Sequence, residues 1–498
     1  MPKSQHQDND RYTNNWTLSF NNFSGLAPQW YSSSYPFYGN KNQASYTKNI
    51  DITNTNVLTQ GAGVLTQDAS TPIIDTLIKG ILKNPVGDYY YGVGGNKLYR
   101  FSTTGIVDDA SFPYTIDKAL VTGELGEDVC YYNGELFYFY NHSGSYGDIG
   151  MFDMTSTFDD DWGSTFPTTG ELLTDAPHQA LVGGDNVMYF TNGNYVGYYD
   201  AFDEDGEVFE VQGLDFHSDS EVAAITWNGD RLVIGVNRPE TTGSNYNQSA
   251  IYTWNGVSPS WEDNPIEVTG KIGALHTKNG ITFVWWNDGG TNIFGYVDGL
   301  RLIPLKRFSG TLPEYYQVGE YKGFLYWTTD GEVCLWGAGD VDIPLAMFKY
   351  MSSTGQTSGG ISAPFNSLVL ASKLVAGAVT TYKFEKESGY STAAEFRTIA
   401  FDVSSPTTTS YIDKIFILTE PLSTGAKCDF VLQYNYGKTS KDLTQIAYST
   451  ANKTRWKILE RSLETENFRL DIKWANGSAT NPVKIRGIYI LGRSVKND

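Results

Sequence analysis

The sequence predicts an all-β protein, and three observations carry that expectation. Tyr, Phe and Trp number 34, 26 and 12 in a chain of 498 residues that also holds 51 Gly. Such rings, with Thr, suit a pleated and half-buried surface, while Gly and Asn suit tight turns. A unit of alternating apolar residues flanking a short turn recurs along the middle of the chain. The final hundred or so residues then change to longer strands that no longer repeat. A coiled coil or helical repeat is excluded, because Ala, Glu, Lys, Leu and Arg do not dominate.

Residues 1–75 come first and read as an extended N-terminal arm rich in Asn, Ser, Gln and Tyr. Its aromatic anchors are Trp16, Phe20, Phe23, Trp30, Tyr31, Tyr35 and Phe37. A disordered tail is poor in such rings, so the arm is expected to lie on its own domain or a neighbour.

Residues 76–385 carry the repeat. Tyr89–Val93 leads through Gly94-Gly95-Asn96 to Leu98–Phe101, and Val129–Tyr132 leads through Asn133-Gly134 to Leu136–Tyr140. Similar pairs surround Gly184-Asp185-Asn186, Asn228-Gly229, Asn279-Gly280 and Lys322-Gly323, with a looser copy from Ala363 to Leu370. Asn-Gly between alternating runs is the strongest short-range hairpin signal, since a type I′ turn needs positive φ twice. A further strand follows most hairpins and ends with an aromatic and usually an Asp, Asn or Gly, as in Ile149–Asp153, Val196–Asp200 and Ile251–Asn255.

The period of roughly 45 residues matches four-stranded propeller blades. One small sheet with rings on both faces cannot hide them alone, whereas sheets stacked around an axis do. A six- or seven-bladed β-propeller follows, and Asn56–Thr59 is a candidate strand for completing the last blade. Ser352–Gly360 reads as a linker and Glu385–Thr392 as a turn region. A single large sandwich is the competing fold, but one core stops growing near ~250–300 residues. Residues 393–498 form a C-terminal antiparallel β-sandwich, with strands at Ala394–Val403, Tyr411–Leu418, Cys428–Tyr436, Arg455–Leu459, Asn467–Trp474 and Val483–Leu491.

Charge narrows the function classes. With 36 basic against 56 acidic residues the chain has a formal charge of −20, and no basic cluster is visible for gripping a duplex. Cys130, Cys334 and Cys428 are odd in number and far apart, so they build neither a disulfide framework nor a metal site. The stretch Met1–Arg11 lacks the apolar core of a signal peptide. No apolar run approaches the ~20 residues of a membrane span.

Catalytic motifs are not visible. His6, His142, His178, His217 and His276 share no helix or strand spacing and read as solvent-facing or hydrogen-bonded residues. Gly92–Asn96 looks like a phosphate loop but lies between strands rather than before a helix. Asp159-Asp160-Asp161 and Asp203–Glu207 gather carboxylates. Asp203, Asp205 and Glu207 are weak Ca²⁺ candidates, because the distal bidentate Glu of such a loop is absent. An ordinary solvated turn is the plainer reading. Trp227, Trp254, Trp285, Trp286, Trp327 and Trp336 lie within the strand pattern and read as blade core before sugar platforms. No catalytic residue, cofactor or metal is assigned, and the expectation is a protein that is not an enzyme.

Three segments carry a family resemblance. They are the arm Phe20–Pro28 continuing into Asn42–Leu58 and Gly61–Gly63, the blade Tyr90–Tyr99, and the closing strands Asn467–Ile472 and Ile485–Ile490. In this layout the chain resembles the propeller-bearing tail hub, nozzle or DNA-stabilisation proteins of short-tailed bacteriophages. The resemblance implies a structural virion protein without catalytic residues, made in the host cytoplasm. It implies docking to other virion proteins on the portal or adaptor side and in the distal tail. Flat β surfaces and closed symmetry then suggest a homo-hexameric ring, with double-stranded DNA only passing through its lumen and no membrane contact. An adsorption protein that binds a host glycan and a glycan-degrading propeller enzyme are the alternatives.

Overall fold

The computed structural model describes residues 13–21, 23, 44–51, 56–61, 63–66, 74–83, 87–102, 111–117, 123–142, 146–166, 173–238, 249–330, 332–337, 347–350, 356–362, 368–403, 408–449, 452–474 and 480–496. The fold is all-β. Among these residues the only other regular elements are two short 3₁₀ turns, Trp162–Thr165 and Tyr315–Gln317. The chain divides into two compact units, 65–334 with 351–387, and 1–64 with 335–350 and 388–498.

Among the described residues, seven four-stranded sheets follow one another along the chain. Sheet 1 holds Ile81–Lys83, Tyr89–Gly94, Lys97–Ser102 and Tyr114–Thr115, and sheet 2 holds Glu124–Tyr132, Glu135–His142, Tyr146–Phe152 and Phe158–Asp159. Sheet 3 holds Ala180–Val182, Met188–Asn192, Tyr195–Asp200 and Val208–Asp215. Sheet 4 holds Glu221–Asn228, Arg231–Asn237, Ser249–Trp254 and Glu262–Val268. Sheet 5 holds Lys271–Lys278, Ile281–Asp288, Thr291–Asp298 and Arg301–Phe308. Sheet 6 holds Val318–Tyr321, Phe324–Thr329, Glu332–Gly337 and Met347–Tyr350. Sheet 7 holds Gln356–Ser362, Val369–Ala376 and Val379–Ser388, with Gly63–Thr66 as its fourth strand.

The turn chemistry accounts for the hairpins. Asn133-Gly134 and Asn279-Gly280 both take positive φ twice, as a type I′ turn requires, and Lys322-Gly323 does the same. The third Asn-Gly behaves differently. Asn228 pairs with Arg231, so the turn centres on Gly229-Asp230 with positive φ at the glycine.

The rings sit between neighbouring sheets. One cluster joins Val369, Ala371 and Phe384 of sheet 7 to Tyr91, Leu98 and Phe101 of sheet 1 and Tyr138 of sheet 2. Others join sheet 2 to 3, 3 to 4 and 4 to 5. Trp327 of sheet 6 lies 4.9 Å from Phe294 of sheet 5, ring centroid to centroid.

Several expectations are corrected. The hairpin at Gly95-Asn96 joins the second and third strands of its sheet, whereas those at Asn133, Asn228 and Asn279 join the first and second. The last small sheet is completed by Gly63–Thr66, while Thr59–Gln60 pairs with Ile50–Asp51. The expected linker overlaps the first strand of sheet 7, Gln356–Ser362, over 356–360, and the expected turn region begins inside the strand Val379–Ser388. Its Gly359-Gly360 is not there for flexibility. A Cβ at Gly359 would come 2.4 Å from the Ile78 carbonyl, and one at Gly360 would come 1.6 Å from that of Lys79. Only glycine permits the backbone of sheet 7 to approach the chain that enters sheet 1.

The second unit has two larger sheets. The five-stranded one runs Thr13–Phe20, Ile485–Lys496, Thr408–Thr419 and Arg455–Leu459, with Leu463–Glu464 also on Thr408–Thr419. The seven-stranded one runs Ala44–Lys48, Glu395–Thr398, Asn467–Lys473, Lys427–Tyr434 and Thr439–Asp442, with Phe401–Asp402 and Ile446–Ala447 at its sides. Rings pack between them, Phe20 at 5.2 Å from Phe401 and Trp16 at 6.2 Å from Phe468. Of residues 1–75, Thr13–Phe20 and Ala44–Lys48 are strands of these two sheets, Ile50–Asp51 pairs with Thr59–Gln60, and Gly63–Thr66 belongs to sheet 7. Trp30, Tyr31, Tyr35 and Phe37 lie outside the described residues.

Candidate functional site

The first strands of all seven small sheets reach one cavity of about 410 Å³. Ile81, Asp128, Ala180, Ile225, Leu275, Val318 and Ile361 each represent one sheet in its wall. Trp227, His276, Tyr315, Tyr316 and Tyr326 add rings. First strands of neighbouring sheets do not pair with one another, so polar groups near the cavity need other partners.

Those partners run from sheet to sheet. Lys79, just before sheet 1, holds Glu127 of sheet 2 at 2.6 Å. Asp128 accepts the Ala180 N–H of sheet 3 at 3.0 Å and that of Val129 at 2.9 Å. Gln179 donates to the Ile225 carbonyl of sheet 4 at 2.9 Å and accepts the Ile225 N–H at 2.7 Å. Asn237 of sheet 4 makes the same reciprocal pair with Ile272 of sheet 5, both bonds at 2.8 Å. Between sheets 5 and 6, His276 meets Glu320 at 3.3 Å, and Lys278 donates to the Gly323 carbonyl. Gln317 donates to the Ser358 carbonyl of sheet 7 at 2.7 Å, and the Gly360 N–H donates to the Ile78 carbonyl at 2.8 Å. The seven junctions, the one from sheet 7 back to sheet 1 included, are thus bridged by polar contacts.

Tyr315 reaches furthest. It sits in the 3₁₀ turn whose start is held by reciprocal bonds between Glu314 and Gln317. Its hydroxyl donates to the His178 carbonyl at 2.7 Å and also faces the Glu127 carbonyl at 3.3 Å. Burial and the nearby carboxylates push this phenol well above its ordinary range, so it stays a donor.

The electrostatics are shaped by burial. Burial pushes Asp128 up to about 7, against the lowering effect of its two N–H partners. It raises Glu127 as well, with the Lys79 ammonium opposing it. Burial pushes His178 down to about 4, so its imidazole is neutral, with Nδ1 2.8 Å from the Thr191 carbonyl oxygen.

Glu127-Asp128 escaped sequence reasoning, although a signal was present. In sheet 2 the register slips between Gly126 and Asp128, leaving Glu127 as a bulge. The first strands of sheets 4 and 5 slip at the same place, at Ala223 and at Gly273. Where those sheets carry Ala223-Ala224 and Gly273-Ala274, sheet 2 carries two carboxylates. Aligning the hairpins by their turns would have exposed the substitution.

The expected site residues lie elsewhere. Asp203 and Asp205 are exposed in the turn between the last two strands of sheet 3, where Asp203 accepts the Asp205 N–H at 2.9 Å. Glu207 lies beside Tyr199 and Glu135. Among the described residues no group of three His, Cys, Asp or Glu side chains is placed to hold a metal ion. Asp160 ties sheet 1 to sheet 2, accepting from the Tyr114 hydroxyl and the Asp117 N–H at 2.9 Å each and from the Tyr138 hydroxyl. Trp254, Trp285, Trp286, Trp327 and Trp336 are buried, whereas Trp227 is half-buried in the cavity wall. His178 is buried, His217 is exposed and His6 lies outside the described residues. Cys130, Cys334 and Cys428 are buried thiols.

Comparison with known proteins gives no sequence relative: no family model matches, and no curated protein does. Among solved structures, the computationally designed Ika8 protein is 12% identical, with a TM-score of 0.39 over 73% of this chain and 99% of that one. The exo-β-1,3-galactanase of Phanerochaete chrysosporium with galactose is 11% identical, with a TM-score of 0.32 over 87% and 100%. Extracellular domains 1–2 of Drosophila semaphorin 1a are 9% identical, with a TM-score of 0.44 over 66% and 88%. Likenesses this distant assign neither activity nor ligand.

Proposed function

We propose that this chain is a structural component of a tailed-phage particle, a rigid docking part rather than an enzyme. In this reading the seven small sheets are the blades of a closed seven-bladed β-propeller, and the two larger sheets form a β-sandwich. The observation that carries it is how the axial polar groups are engaged. Asp128, Gln179, Asn237, Gln317 and Tyr315 all bond backbone groups that bridge separate strands or sheets. A catalytic acid or base must reach the proton it moves, whereas these groups hold the scaffold together. Rigid parts of this kind suit ring assembly by closed symmetry.

A cavity of about 410 Å³ does not admit a duplex. Any path for DNA therefore belongs to the lumen of a ring of copies, where the net charge of −20 would keep phosphates from adhering. Particles purified from a lysate and imaged with a gold-labelled antibody test the proposal. A ring of label at one vertex or along the tail is the expected image. Absence of the protein from particles would overturn the reading, as would turnover of a polysaccharide by the purified chain. Trp227 and Tyr316 in the cavity wall support the glycan-binding alternative, and a glycan array run on the same material would detect it.

A further inference from the structure

Charge is divided unevenly between the two units. Residues 65–334 and 351–387 hold 40 of the 56 acidic but only 16 of the 36 basic residues, while the other unit holds 20 basic against 16 acidic. Much of that basic excess lies on the five-stranded sheet and its flanks. Ile412, Ile415, Ile417, Ile488 and Ile490 are fully buried on one side of that sheet. On the other side Phe416 stands opposite both Lys457 and Tyr489, and Tyr411 opposite Arg493.

The cations there are held in place. The Arg455 guanidinium lies 4.5 Å from the Phe416 ring centre, and that of Arg493 lies 5.4 Å from the Tyr411 ring. Stacking fixes the plane of a guanidinium while its edge N–H groups remain available to carboxylates. Lys414, Arg455 and Lys457 are exposed, and Arg493 is half-exposed. Local acids neutralise only part of this: Glu460 meets Lys457 and Asp413 lies 3.9 Å from Arg493, while Lys414 and Arg455 make no ion pair among the described residues. An aromatic centre with pre-oriented cations has the composition of an interaction surface.

We propose that this face docks the acidic unit, residues 65–334 with 351–387, of a second copy of the chain, head to tail. The complementary charge is present on the same polypeptide: residues 65–334 and 351–387 carry an excess of 24 negative charges (40 acidic against 16 basic). Such a contact joins two different surfaces, so it propagates into a ring or a filament. The proposal rests on the assembly reading given above and supplies its contact surface.

Sedimentation of the full chain tests it, at roughly 50 mM and roughly 500 mM salt, where screening lengths differ about threefold. The wild type should associate at low salt and dissociate at high salt. The triple variant Lys414→Glu/Arg455→Glu/Lys457→Glu should associate at least about 100-fold more weakly, with its circular dichroism unchanged. The milder Arg455→Ala/Lys457→Ala variant, expected to lose about tenfold, serves if the triple variant does not fold. Low-salt wild type that remains monomeric, association insensitive to salt, or a folded variant that associates as tightly as wild type would each overturn the proposal. So would a thymidylate oligonucleotide whose binding needs these cations while self-association does not. Particle labelling is independent of these readings: a protein present in particles with an inert face loses only this surface, and one that associates through the face but is absent from particles loses only the virion role.

Discussion

Phe384→Ala probes whether the last small sheet closes on the first. Phe384 of sheet 7 and Phe101 of sheet 1 stack with centroids 4.0 Å apart and planes 8° from parallel, and both are at most 1% exposed. Truncating a buried Phe costs about 3–5 kcal/mol, part transfer and part residual cavity. Collapse into that cavity is limited, because Val369, Ala371, Leu98 and Tyr99 around it are themselves in sheet positions. The ring pair adds a coupling of about 0.5–1.5 kcal/mol, which a double-mutant cycle with Phe101→Ala isolates. Urea unfolding should show the midpoint falling with an unchanged slope. A loss below about 1 kcal/mol, or two singles that simply add, would mean that sheets 7 and 1 do not pack and that the ring is open.

Asp128 makes stability depend on pH. Its folded pKa of about 7 lies above the unfolded value of about 3.9. Its contribution is therefore fully present below pH ~4 and shrinks, by up to about 4 kcal/mol, as pH rises through ~7. Asp128→Asn should flatten unfolding midpoints across that window while costing about 1–3 kcal/mol at low pH, since one N–H partner loses its acceptor. Glu127, also raised by burial, keeps part of the slope in the variant; a slope left unchanged by the substitution would refute the assignment. Asn237→Ala leaves the Ile272 N–H and carbonyl unpartnered in a buried place and should cost about 2–4 kcal/mol in urea unfolding. Asp160→Ala removes the acceptor of Tyr114, Tyr138 and Asp117 and should cost about 2–3 kcal/mol, against less than about 0.5 for Asp203→Ala in its exposed turn. Equal losses at those two sites, measured the same way, would contradict the burial argument. Millimolar Ca²⁺ should leave the Tm unchanged; a rise that disappears in Asp203→Ala would restore the calcium reading.

Strands made of local signals were legible from sequence. Tyr411–Leu418 was expected and Thr408–Thr419 is found, and Arg455–Leu459 coincides at both ends. Alternation and positive-φ turn residues act within a few positions, so they survive without knowledge of the partner strand. Gly63–Thr66 had no such signal, because its role depends on a strand more than three hundred residues later. Ser358-Gly359-Gly360 was misread because a close backbone approach and a flexible linker call for the same residues.

The amino-acid order alone determined the class of fold, the recurrence of short sheets and the change of pattern near residue 393, since each follows from periodicity and composition. The tertiary structure decided which strand completes the last small sheet, why Glu127-Asp128 interrupts the small residues at the bulge, and where the basic face lies. Those features arise from groups far apart in the chain meeting across a junction or a sheet. A pairwise meeting of that kind leaves no local period to read.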